Sequence, residues 1–89
     1  MAKLYKVVDE DLEIAPYQNT TLMNASNEVF VLDDSENKKI WIWIGRKAST
    51  RQRFNAARLS EKLDKEAGGL PVIKTIDEAE EPQEFLDMF

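Results

Sequence analysis

The sequence predicts an α+β domain in which a β-sheet is covered on both faces by helices. Three stretches carry that expectation. The first is Ile40 to Ile44, IWIWI, a run of strong β-formers. Successive side chains of a strand point to opposite faces, so Ile40, Ile42 and Ile44 share one face and Trp41 and Trp43 the other. A strand apolar on both faces is buried on both, and such a sheet needs two covers. The second stretch, Ser49 to Ala67, STRQRFNAARLSEKLDKEA, reads as a long helix and supplies one cover. The third, Glu81 to Phe89, EPQEFLDMF, reads as a short helix and supplies the other.

Taken in order, Leu4 to Val8, LYKVV, alternates and is a strand. Asp9-Glu10-Asp11 is a polar turn, and Leu12 to Ile14 is a second short strand that ends at Ala15-Pro16. Tyr17 to Ser26 is polar and irregular. Leu22 and Met23 are its expected anchors, in a further edge strand. Glu28 to Asp33, EVFVLD, is a strand with Val29 and Val31 on one face and Phe30 and Leu32 on the other. Asp34-Ser35-Glu36-Asn37 is turn chemistry. Lys38 to Ile44 is then its antiparallel partner. Leu70 to Ile76, LPVIKTI, is a last strand, and Pro71 near its start suits an edge or a strand beginning.

Each helix has its own signals. Ser49 and Gln52 have capping-box spacing, in which the hydroxyl takes the Gln52 N–H and the Gln52 amide reaches back. Gly68 and Gly69 stop the long helix, because glycine takes the left-handed conformation such ends need. At 1.5 Å per residue the helix is about 28 Å long. Ala56, Leu59, Leu63 and Ala67 form one narrow stripe for the sheet. Phe54 falls on the opposite side, among Ala57, Arg58, Glu61, Asp64 and Lys65. The core does not explain a phenylalanine there. In the short helix, Pro82 suits the first helical position, and Phe85, Leu86 and Phe89 make the apolar face. The acidic run Asp77 to Glu84 reads as solvated.

Composition narrows the function classes. The 89 residues predict one domain over 1–89 with a modest core. The chain has no cysteine and no histidine, which removes thiolate chemistry, the commonest general base and the usual zinc ligand. A net charge of −5 disfavours nonspecific binding to nucleic acid. No apolar run approaches a membrane span, and the Met1 end lacks a signal-peptide pattern. A cytoplasmic protein without a transmembrane segment is the expectation. Catalysis finds no support: Asp33-Asp34 stands beside a turn with no base, nucleophile or phosphate loop.

The order of elements resembles a gelsolin-like repeat, the module of the gelsolin, villin and severin family. LYKV, VFVLD, the aromatic-aliphatic strand running into WIG-x-x-AS (IWIWIGRKAS), the long helix and PVIKTIDEAEEPQEF carry the resemblance over nearly the whole chain. It implies a five- or six-stranded mixed sheet sandwiched between one long and one short helix. It also implies an actin-binding protein of the cytoskeleton that binds monomers, caps filaments or severs them weakly. In actin-binding members the long helix sits in a cleft of actin. The matching positions are Phe54, Arg58, Glu61, Lys62 and Lys65. An i,i+4 pair of Glu61 with Lys65 is an equally good reading of those two residues.

The resemblance further implies calcium. A site shared with actin would use Asp64 at the helix end and the backbone carbonyls of Gly69 and Pro71. Calcium takes 6–8 oxygen ligands, so actin and water would complete its shell. A second site within the repeat would use Asn27, Glu28 and Gln52. There Asn-Glu replaces the family's Gly-Asp, and a neutral glutamine replaces its glutamate, so no strong internal site is expected. Some family members bind phosphoinositide headgroups, and Arg46, Lys47, Arg51, Arg53 and Arg58 form a basic cluster at the helix start. A solvated helix end is the simpler reading of that cluster. The alternative for the whole chain is a gelsolin-like structural interaction domain that does not touch actin, and the polar outer face of the helix keeps it open.

Overall fold

The computed structural model describes residues 2–89. Strand β1 (Lys3–Val8) turns back into β2 (Asp11–Ile14), and after an irregular stretch come β3 (Val29–Asp34) and β4 (Lys39–Ile44). Helix α1 (Thr50–Glu66) leads to β5 (Val72–Asp77), and a one-turn helix, α2 (Gln83–Leu86), follows. The strands form one five-stranded sheet in the order β2-β1-β3-β4-β5. All neighbours are antiparallel except β4 and β5, which are parallel. Parallel neighbours need a crossover, and α1 is that crossover.

Register puts the two faces where alternation predicts them. Phe30 pairs with Trp43 and Leu32 with Trp41; Val29 pairs with Ile44 and Val31 with Ile42. On the α1 side, Val7, Val29, Val31, Ile40, Ile42, Ile44 and Ala56 are buried together, flanked by Leu59 and Leu63. On the α2 side, Leu4, Phe30, Leu32, Trp41, Trp43, Ile76 and Phe85 form the second cluster. Its rings meet edge to face, with centroids 5.8 Å apart for Phe30–Trp43 and 5.6 Å for Trp41–Phe85. Such pairs contribute about 0.5–1.5 kcal/mol each beyond burial.

Several local expectations are corrected. No edge strand forms in 17–26. Asn19–Thr21 is a 3-10 turn, and the Thr21 hydroxyl donates to the Pro16 carbonyl at 2.7 Å, a local bond that competes with pairing in a sheet. Leu22 packs on the core, but Met23 is 64% exposed. In the C-terminal segment Pro82 caps α2 from outside the helix. Phe85 of α2 is in the core with Met88 and Phe89, just past the helix, packed beside it, and Leu86 turns outward. The acidic run is not merely solvated. Glu81 accepts the Trp43 indole N–H at 2.9 Å, and Glu84 pairs with Lys39. Glu81 thus satisfies the buried Trp43 indole, whereas the Trp41 indole N–H has no acceptor.

The exit from β4 fixes where α1 begins. A Cβ on Gly45 would lie 2.4 Å from the Ser26 carbonyl oxygen and 2.6 Å from that of Glu28. Only glycine allows the chain to press onto 26–28. There the Gly45 N–H donates to Glu28 at 2.9 Å and the Lys47 N–H to Ser26 at 2.8 Å.

Candidate functional site

Helix α1 starts as its capping box predicts. The Ser49 hydroxyl accepts the Gln52 backbone N–H at 3.1 Å, and Gln52 Oε1 accepts the Ser49 N–H at 2.8 Å. The Gln52 amide nitrogen also donates to the Asn27 carbonyl at 3.0 Å, which ties the helix to the entry of β3. On the sheet side Ala56 is fully buried and Leu59 and Leu63 half-buried, but Ala67 is the C-cap and lies outside the cluster. The stripe is wider than the apolar residues alone suggest, because Asn55 and Ser60 are buried too. Asn55 Nδ2 donates to the Asp9 carbonyl at 2.7 Å and so pins the β1–β2 turn, where Asp9 has φ 52°. Counting only apolar residues missed both; their spacing beside Ala56 and Leu59 was the available signal.

The outer face of α1 carries Phe54, Ala57, Arg58, Glu61, Lys62 and Lys65, all exposed. Phe54 is 61% exposed, and the Arg58 guanidinium lies 5.8 Å from its ring centroid. Helical spacing brings Phe54, Arg58, Glu61 and Lys65 onto one stripe, with Lys62 at its flank. Beside that flank, Glu10 of the β1–β2 turn lines a shallow cleft of about 280 Å³ with Asn55, Arg58, Leu59 and Lys62.

The far end of α1 is different. Gly68 (φ 83°) and Gly69 (φ 73°) are left-handed, and the Gly69 N–H returns to the Asp64 carbonyl at 2.8 Å. Asp64 Oδ1 is buried without a hydrogen-bond partner. Such an orphan costs about 1–3 kcal/mol, more for a charge, and the Trp41 indole N–H and Ser60 hydroxyl inside the core are left in the same state. Pro71 is buried where the chain enters β5. No group of three or more acidic, cysteine or histidine side chains suited to a metal exists among the described residues. An ion at Asp64, Gly69 and Pro71 would therefore rely on carbonyls and on donors from a partner.

Asn27, Glu28 and Gln52 have partners within the chain. The Asn27 carbonyl is occupied by the Gln52 amide, and the Glu28 carboxylate lies 3.7 Å from the Lys6 ammonium. The basic cluster is interleaved with acids: Arg46 and Arg53 share a cleft of about 460 Å³ with Asp77, Glu78 and Glu80. Glu78 accepts the Arg46 N–H at 2.7 Å and the Ser26 hydroxyl at 2.9 Å. The Arg46 amide above all, then the Ser26 hydroxyl and the nearby charges of Arg46 and Lys47, hold its carboxyl below the ordinary value, against a partial desolvation that raises it.

The five-stranded sheet between a long and a short helix, with this long outward helix face, has a counterpart in sequence. The gelsolin repeat model matches residues 10–86. The chain belongs to the gelsolin repeat family. This gelsolin repeat is similar to Thorarchaeota ProGel in its crystal structure with rabbit actin. The TM-score is 0.87 at 26% identity, over 99% of this chain and 98% of that one. It is also similar to Thorarchaeota 2DGel3, again crystallised with rabbit actin, with TM-score 0.85 and 28% identity over 99% of this chain. It spans 45% of that longer protein. No curated protein sequence matches the repeat significantly.

Proposed function

We propose that this gelsolin repeat binds actin through the outer face of α1. The observation that carries the reading is its end-to-end similarity to Thorarchaeota ProGel, which was crystallised with rabbit actin. The exposed Phe54 supports it, since an aromatic ring left uncovered on a polar helix face is the type of anchor that interfaces use. Arg58 flanks the anchor, and Glu61, Lys62 and Lys65 form a charged surround. Charges at such a rim steer and orient encounter more than they add affinity.

Calcium belongs to the same proposal. Asp64 and the carbonyls of Gly69 and Pro71 would hold it, and its charge would answer the Asp64 carboxylate. The unpartnered Asp64 oxygen supports this reading, as does the short donor set, which makes affinity depend on the partner. A single actin-facing surface favours monomer binding or capping over severing. The role is binding rather than catalysis: Asp33 accepts the Ser35 N–H and Asp34 the Asn37 amide, so both serve the β3–β4 turn. The acids among the basic residues support a solvated helix end over phosphoinositide binding. Cytoskeletal association in the cytoplasm follows from the actin reading, and no described helix is long and apolar enough to cross a membrane.

An actin polymerisation assay tests the proposal. The repeat should slow assembly of pyrene-labelled rabbit actin, more in calcium than in chelator. Unchanged kinetics in both conditions would favour the structural interaction domain.

A further inference from the structure

The residues that would make an internal cation site are already joined without one. The Gln52 amide reaches both ways. Its oxygen accepts from the Ser49 N–H at 2.8 Å and lies 3.1 Å from the Ser49 hydroxyl, and its nitrogen donates to the Asn27 carbonyl at 3.0 Å. Glu28, next to Asn27, has its carboxylate 3.7 Å from Lys6 Nζ. Lys6, Glu28, Ser49 and Gln52 line one open cleft of about 350 Å³. Both oxygen sources that a hard cation would need here, a carbonyl and a carboxylate, already face N–H groups of the chain.

We infer that Gln52 is a built-in, metal-free clamp: its side-chain N–H stands in for a divalent cation and holds the start of α1 to the entry of β3 in all ionic conditions. The orientation of α1 is then constant, and any calcium response of the chain must arise elsewhere. Chemistry favours glutamine for this position. Glutamate also completes a capping box, through the same oxygen, but it has no N–H for the Asn27 carbonyl. Gln52→Glu therefore keeps the cap and removes only the clamp. It sets a second carboxylate beside the Asn27 carbonyl, with the Glu28 carboxylate on the same cleft, an oxygen set that water would complete into a calcium shell once the ion displaces Lys6 from Glu28.

Thermal melting of the free chain tests this without reference to actin. The wild-type chain and Gln52→Glu are compared in calcium and in chelator, each in an Asp64→Ala background that silences the far end of α1. The wild type should melt alike in both. Gln52→Glu should melt about 4–8 °C lower in chelator, the shift one ordinary hydrogen bond produces in a domain this size, and calcium should restore it. Equal melting of the two chains in chelator would overturn the inference, as would a Gln52→Glu chain that calcium leaves unchanged. A second measurement needs no variant. On calcium titration of the wild type, amide NMR shifts should be confined to 64–72, and saturable shifts at 27–28 and 49–53 would overturn the clamp.

Discussion

The two ends of α1 are built on opposite terms. At the N-terminal end Ser49, Gln52 and the Asn27 carbonyl satisfy one another, and Gly45 presses the incoming chain onto 26–28. At the C-terminal end Asp64 Oδ1 is buried without a donor, two left-handed glycines follow, and Leu70 is 67% exposed. One end is complete within the chain. The other keeps an unsatisfied carboxylate oxygen, the atom on which the proposed calcium site rests. The difference teaches that the fold anchors α1 at its start through its own polar groups and leaves a polar oxygen unanswered at its finish.

Substitutions at the two ends should therefore act with opposite sign. The largest effect belongs to the closed end. Gly45→Ala forces a Cβ against two backbone carbonyls, and neither is a flexible tip that can swing away. It should cost about 1–3 kcal/mol in chemical denaturation. An unchanged midpoint would break the claim that this contact sets the start of α1. Asn55→Ala comes next, at about 1–2 kcal/mol, because it leaves the Asp9 carbonyl without its side-chain donor. Hydrogen exchange in the β1–β2 turn should rise with it, and unaltered exchange there would assign the loss to another cause.

At the open end the sign reverses. Asp64→Asn removes a negative charge from the last turns of a helix, where the dipole disfavours it, and removes a buried carboxylate oxygen without a partner. In chelator it should stabilise the chain by about 0.3–1 kcal/mol. A destabilised variant would mean that Asp64 already serves the fold, and the contrast between the ends would fail.

The smallest effect is the acid limb. Glu78 is held below its ordinary carboxyl value when folded, first by the Arg46 amide, so the folded state favours its ionised form. That contribution is fully present above the unfolded value of 4.5 and fades as the pH falls through the lowered folded value. Melting curves of the wild type and Glu78→Gln should converge as the pH falls below that range. A gap of constant size at all pH values would show that ionisation of Glu78 is not what counts.

Much of the fold was legible because its signals are periodic. IWIWI and VFVL alternate, and their two faces became the two clusters without exception. The capping box and Gly68-Gly69 marked both ends of α1. The misses share a cause. Met23 and Leu86 count as inward because they are apolar, while the burial of Asn55 and Ser60 escapes a count of apolar residues because they are polar. Apolar character reports what burial would gain, not which way a short irregular segment turns. The acidic run Asp77 to Glu84 was read as solvent-facing because its partners, Trp43, Ser26, Arg46 and Lys39, are more than 30 residues away in sequence. In the candidate site, the outward position of Phe54 followed from a 100° period, whereas the same period put Asp64 on the outer side and gave no sign that its Oδ1 is buried.

The claim that the outer face of α1 is the actin-binding surface is tested most directly by the affinity of Phe54→Ala for rabbit actin, measured by fluorescence anisotropy beside its thermal melt. Phe54 is 61% exposed, so its removal should leave the melting temperature near that of the wild type while Kd rises about tenfold or more, the loss of one interface anchor. Unchanged affinity in a chain that folds normally would contradict the account.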